Sequence, residues 1–148
     1  MTPYLADWWR AYVGGAYLWR GRTPQLWRRP CGPDVGVDCW GLHAHAMEHV
    51  FRRPIDDFGW AYPDDGKPGR AQASDRIEAE LSVWRGVPWE EGAAALFRDL
   101  RGRPLHIGTC LRQRGIVLHA QSDFGVGLLD IPNSLKWKDR LVGTYLPG

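Results

Sequence analysis

After Pro88 the chain breaks into short apolar runs, "AALFRDL", "PLHIGTCL", "GIVLHA" and "GVGLLDI", each bounded by Gly, Arg or Asp, and "DRLVGTYLPG" offers a last one. Runs of this length, rich in Val, Leu and Ile and separated by turn formers, suit the strands of an antiparallel sheet. Before Pro88 the texture differs. "DCWGLHAHAMEHVFRR" puts Ala46, Met47 and Val50, with His43 behind them, on one face of a helix that must end before Pro54. Asp38 is a suitable N-cap for it, because a carboxylate accepts the free N–H groups of a first turn. "SDRIEAELSVWRG" predicts a second helix, with Ser74 as cap and Ile77, Leu81 and Trp84 on one side. "YLADWWRAYV", residues 4 to 13, predicts a short helix stopped by Gly14 and Gly15. Helices first and sheet second is an α+β plan, with the sheet packed on the helix that starts at Cys39.

Two stretches read as irregular: "GRTPQLWRRPCGPDVG", residues 21 to 36, as a long loop, and "IDDFGWAYPDDGKPG" as a run of turns. No repeat or low-complexity tract interrupts the chain. Its 148 residues suit a single domain, 1–148, with room for a core.

Composition narrows the function. A net charge of +2 gives no global pull toward nucleic acid or a membrane surface. Three cysteines, Cys31, Cys39 and Cys110, are too few and too odd in number for a disulfide framework. No CxxC pair suggests structural zinc, and no metal or cofactor is expected. The opening "MTPYLADWWRAYVGG" has no basic start followed by an apolar run, so neither a signal peptide nor a membrane span is expected. Nine tryptophans are many for this length. Most are read as packing, against the alternative of an aromatic-lined cleft.

The chemistry centres on "GVDCWGL". A thiol attacks as a thiolate, and a helix N-terminus or a nearby imidazolium favours that form. Cys39 follows directly on a cap and so has the first. Asp38 works against it, since a carboxylate disfavours a neighbouring anion. The helix start also offers N–H groups to an oxyanion. A base must come from elsewhere in the fold. His43, His45 and His49 share the helix of Cys39; His43, one turn along, is within reach of the thiol but reads as packed or partly exposed, since a residue on the same helix cannot sit across a cleft from the nucleophile. His45 and His49 are half a metal site at best and read as an exposed helix face. His106 and His119 each interrupt an apolar strand. Alternation puts Leu105, Ile107, Thr109 and Leu111 on one face and His106, Gly108 and Cys110 on the other; Val117 and His119 share a face of the next strand. If those strands pair, the imidazoles become neighbours, one able to act as base and the other to orient it. Cys110 is a rival nucleophile, but a mid-strand thiol has no helix terminus behind it and reads as packing.

"GVDCWGL", "HIG" and "VLHA" together resemble the signature of NlpC-like cysteine peptidases, papain-related cell-wall hydrolases. "DCWGL" is similar to the branch found in phage and phage-like tail clusters. "GAYLWRG" looks like the counterpart of the family's upstream tyrosine turn, with Tyr17 as the match. The resemblance runs from about Val13 to Tyr145. It implies a papain-like NlpC-type fold, Cys39 as nucleophile, His106 as general base and His119 as the orienting residue. It implies too that Tyr17, with Asp38 and Trp40, lines the oxyanion and substrate side. The implied substrate is the peptide stem of peptidoglycan, cut between D-glutamate and a diamino acid.

There are two departures. The family's Gly-Asp pair before the catalytic strand is replaced in "EGAAALF", where Ala93 holds the aspartate's place, and the loop over residues 21 to 36 is longer than the family's turn. Its Arg22, Arg28 and Arg29 read as a solvated face, against a role in binding acidic stems. A disulfide between Cys31 and Cys39 is the weaker reading of Cys31.

The leading expectation is therefore a peptidoglycan endopeptidase made without a leader in the host cytoplasm, carried by a phage-like tail and acting in the periplasm or cell wall. Tail-tip or hub proteins are its expected partners. The alternatives are a structural tail-tip component that keeps the fold for protein contacts, and an acyltransferase using the same residues.

Overall fold

The computed structural model describes residues 7–26, 35–56, 67–98 and 104–148. Six strands, β3 (Arg85–Gly86), β4 (Ala94–Arg98), β5 (Pro104–Cys110), β6 (Ile116–Gln121), β7 (Gly125–Asp130) and β8 (Leu141–Leu146), form one antiparallel sheet in the order β3-β8-β4-β5-β6-β7. The five apolar runs of the sequence are its five longer strands. A separate ribbon pairs β1 (Arg22–Thr23) with β2 (Gly36–Val37), antiparallel, with Arg22 opposite Val37. The long-loop expectation thus needs correcting at both ends; residues 27–34, with Arg28, Arg29 and Cys31, lie outside the described residues.

Helix α1 (Cys39–His49) starts where its cap places it: the Asp38 carboxylate accepts the Gly41 N–H at 2.8 Å. Helix α2 (Lys67–Leu81) starts seven residues before the expected cap, so Ser74 is a buried residue inside the helix. Pro68 explains the early start, since proline fits a helical first turn whose N–H groups have no partner anyway. Toward the N-terminus only Trp8–Ala11 is helical, as a single 3₁₀ turn; residues 4–6 of the expected helix lie outside the described residues.

Both helices pack on one face of the sheet. Trp40 and Ala44 of α1 and Ile77 and Leu81 of α2 meet Ala94, Leu96 and Ile107, while Leu42 and Ala46 meet Leu118, Ala120 and Val126. Full burial of a side chain such as Leu118 contributes about 2 kcal/mol. The other face is covered by the chain between β7 and β8: Trp137 and Ile131 close over Ala95, Phe97, Cys110, Val117 and Leu129. Among the described residues, no helix is long and apolar enough to cross a membrane.

Candidate active site

The thiol side of the site is built around a carboxylate. Asp38 is 2% exposed. Gly41 N–H and Arg22 Nη1 reach its Oδ1, each at 2.8 Å, and Arg20 N–H reaches Oδ2 at 3.0 Å. Arg20 adopts a left-handed backbone, φ 61°, which turns its N–H inward at a cost of about 1 kcal/mol. Gly41 is required here: a Cβ would run into the carbonyl of Gly21 and within 2.9 Å of Arg22 Nη1. The carbonyl it would strike is the one that accepts the second Arg22 Nη1 bond, at 2.8 Å. Residues 20–22 therefore lie directly on the first turn of α1. Arg22 is not on a solvated face, as the sequence suggested; its side chain is 16% exposed and bound to Asp38. A buried cap carboxylate beside a thiol calls for a counter-cation, but nothing local in the sequence says which arginine supplies it.

Cys39 is a free, half-buried thiol. Burial, then the Asp38 charge, push its pKa up to about 12. Hydrogen bonding to the backbone of Ile107, the Arg22 charge and the backbone of Trp40 pull the other way. Trp40 itself is buried, with its indole N–H donated to the Asp56 carbonyl at 2.8 Å. Its backbone addresses the sulfur. Tyr17 bridges in parallel to Val37, two residues before Cys39, and is half-buried against the cluster that includes Val37 and Leu42.

The imidazole side lies across the sheet. His106 Nε2 and His119 Nδ1 are 2.8 Å apart. This is the neighbour pair expected from alternation. His106 stacks on Trp137, with centroids 4.9 Å apart and planes at 27°, and lies 5.9 Å from the Phe97 ring. Its neighbour Ile107 faces α1. Burial lowers the pKa of both imidazoles, His119 to about 4; for His106 the adjacent His119 and Lys136 add to it. At neutral pH the pair is uncharged.

No hydrogen bond among the described residues joins Cys39 to either imidazole. What brings the two sides near is β5 itself. The β5–β6 ladder is only two residue pairs long, Thr109↔Leu118 and Cys110↔Val117. Beyond it the strands part, and there His106 and His119 bridge them while the thiol meets the Ile107 backbone from the helix side.

The other candidates serve the fold. His43 is 1% exposed, shares a 2.7 Å hydrogen bond with Thr109 Oγ1 and has a pKa lowered to about 3 by burial. Cys110 is fully buried in the second-face core, and burial pushes its thiol up. The His45 and His49 rings lie 4.1 Å apart, tilted by 31°, with His45 Nδ1 2.7 Å from the Tyr12 hydroxyl. Among the described residues, no group of three or more His, Cys, Asp or Glu is arranged to hold a metal. Sequence reasoning missed Trp137, which stands in the polar stretch "NSLKWKDR" with no apolar periodicity around it.

Solved structures that share this fold include NlpC/P60 proteins. The fold is of NlpC/P60 type. An NlpC/P60 family protein from Bacillus cereus superimposes with a TM-score of 0.57 at 16% identity, over 97% of this chain. The chain spans 40% of that protein's length. The P60 domain of an antigen from M. avium subspecies paratuberculosis gives 0.52 at 18% identity, over 93% of this chain and 90% of the domain. The NlpC/p60 domain of the peptidoglycan hydrolase SagA gives 0.45 at 24% identity, over 80% of this chain and 79% of that one. No family model and no curated protein matches the sequence itself.

Proposed function

We propose that the protein is a thiol hydrolase that cuts amide bonds in the peptide stems of peptidoglycan, with Cys39, His106 and His119 as its working groups. The observation that carries the reading is the His106–His119 bond at the opening of β5 and β6, beside the strand residue that the Cys39 thiol touches. The NlpC/P60-type fold and the "DCWGL" resemblance supply the substrate class.

The charge states favour general-base catalysis over a resting ion pair, since burial holds both thiol and imidazole neutral. His106 Nδ1 takes the Cys39 proton as the sulfur attacks the amide carbonyl. This requires the proton of neutral His106 on Nε2, donated to His119 Nδ1. His119 thus fixes the tautomer and steadies the imidazolium that forms. The Trp40 N–H and its neighbours in the first turn of α1 face the oxyanion, with Tyr17 alongside. The His106 imidazolium protonates the leaving amine. Water then releases the acyl group from sulfur, and if an amine does so instead the same residues perform transfer.

The finer reading is cleavage between D-glutamate and a diamino acid, by an enzyme that a phage-like tail brings to the wall. Its support is the resemblance of "DCWGL". Copurification with tail-tip or hub proteins is the expected result; a protein found only as a free cytoplasmic monomer in infected cells contradicts it.

The test of the chemistry is digestion of peptidoglycan from a diaminopimelate-type wall, with products read by mass spectrometry and Cys39→Ala in parallel. New stem fragments from the wild type alone are expected, and their masses name the bond. The absence of products from a folded wild type favours the structural reading, for which the burial of His106 and His119 beneath Trp137 is the supporting observation.

A further inference from the structure

The Asp38 cap presents a conflict that the site has to resolve. Its carboxylate holds the first turn of α1 through Gly41 N–H, so the helix needs it. The same carboxylate is covalently next to the nucleophile, where an anion opposes formation of a second anion. We propose that Arg22 is a positioning residue that resolves this conflict, neutralising Asp38 and so governing how readily the Cys39 thiol ionises.

The geometry supports this in three ways. The Arg22–Asp38 pair is 2.8 Å long with side chains 16% and 4% exposed, so solvent screens it little. Arg22 is fixed from two sides, with Val37 opposite it in the β1–β2 ribbon and the Gly21 carbonyl accepting from Nη1. Gly41 leaves the space that lets the guanidinium reach the first turn. The groups acting on the thiol also make the assignment specific. Asp38 and Arg22 are the charges that act on it, with opposite sign. From β5 comes His106, neutral at pH 7, with His119 behind it on β6. From α1 comes His43, also neutral, and α2 faces the cluster with Ile77 and Leu81.

The catalytic weight of this assignment rests on the thiol-hydrolase reading above, but its test does not. The full chain is alkylated with iodoacetamide at fixed pH values from about 7 to 10, all below the raised midpoint of the Cys39 thiol, where the labelling rate follows the thiolate fraction. The Cys39 adduct is quantified by peptide mapping so that Cys31 and Cys110 do not enter. Arg22→Gln keeps a donor toward Asp38 and removes the charge. The expected result is roughly tenfold slower labelling at each pH. Arg22→Lys is expected to restore most of the difference. Asp38→Asn is expected to label faster than the wild type.

If Arg22→Gln alone does not fold, the comparison is made between Asp38→Asn and the double variant Arg22→Gln/Asp38→Asn, which leaves no buried charge unpaired. Faster labelling of Asp38→Asn than of the double variant supports the proposal. Equal labelling rates in either comparison, with the fold intact, overturn it. A changed labelling rate without any stem cleavage would leave the proposal standing and count against the peptidase reading alone.

Discussion

The two faces of β5 handle charge in opposite ways. On the helix face, one residue along from His106, the thiol stands beside a buried ion pair, Asp38 with Arg22, that also caps the helix. On the other face two neutral imidazoles share a hydrogen bond under an aromatic cover, with Trp137 stacked on His106. The helix face fixes its group by charge-assisted hydrogen bonds, and the far face fixes its pair by packing. The two sides address neighbouring residues of one strand, where its pairing to β6 has ended. The lesson is that one strand can carry a charge-fixed group on one face and a packing-fixed pair on the other.

The comparison can be sharpened first by removing the packing. Trp137→Ala takes away a side chain 7% exposed that touches Phe97, His106 and His119. A loss of about 3 to 5 kcal/mol in chemical denaturation is expected. A loss below about 1 kcal/mol would mean that packing does not hold the imidazole pair.

Next comes the pair itself. His119→Ala removes the partner that sets the His106 tautomer. The expected effect is a drop in stem cleavage on the order of 10²-fold, carried by kcat with KM little changed. A drop in KM-dependent binding alone would contradict the orienting role.

The smallest of these effects is the response to pH. His43, His45 and His119 have pKa values lowered to about 3, 4 and 4, and that of His106 is lowered as well. Unfolding lets each return toward about 6.5 and take up a proton. Their contribution to stability is therefore complete above about pH 6.5 and declines as pH falls toward 4. The melting temperature is expected to fall over that window, less steeply in His119→Leu. A flat or rising profile there would show that the imidazoles are not buried neutral.

Much of this was legible from local pattern. The alternation of "PLHIGTCL" and "GIVLHA" put His106 and His119 on one face, and the cap at Asp38 fixed the start of α1. What escaped was non-local. Arg22 lies in an arginine-rich stretch without periodicity, and its partner is sixteen residues on. Trp137 sits among polar residues, and nothing local says that it folds back over the sheet. The early start of α2 was missed because Pro68 and Gly69 read as turn formers, although a proline in a helical first turn is tolerated. That the β5–β6 ladder ends before His106 and His119 follows from how two strands diverge, a property of the sheet that neither strand's sequence carries alone.

The central claim is that Cys39 and His106 act as one unit although they stand on different faces of a strand. The most direct test is a double-mutant cycle on stem-peptide cleavage with Cys39→Ala, His106→Ala and the combined variant, each checked for folding. Groups that act together lose their effect together: each single variant is expected to fall by a factor on the order of 10³ or more, and the double to fall no further. A folded His106→Ala that cleaves at the wild-type rate while Cys39→Ala does not would contradict the account, and the base would have to be sought on the helix side of the sheet.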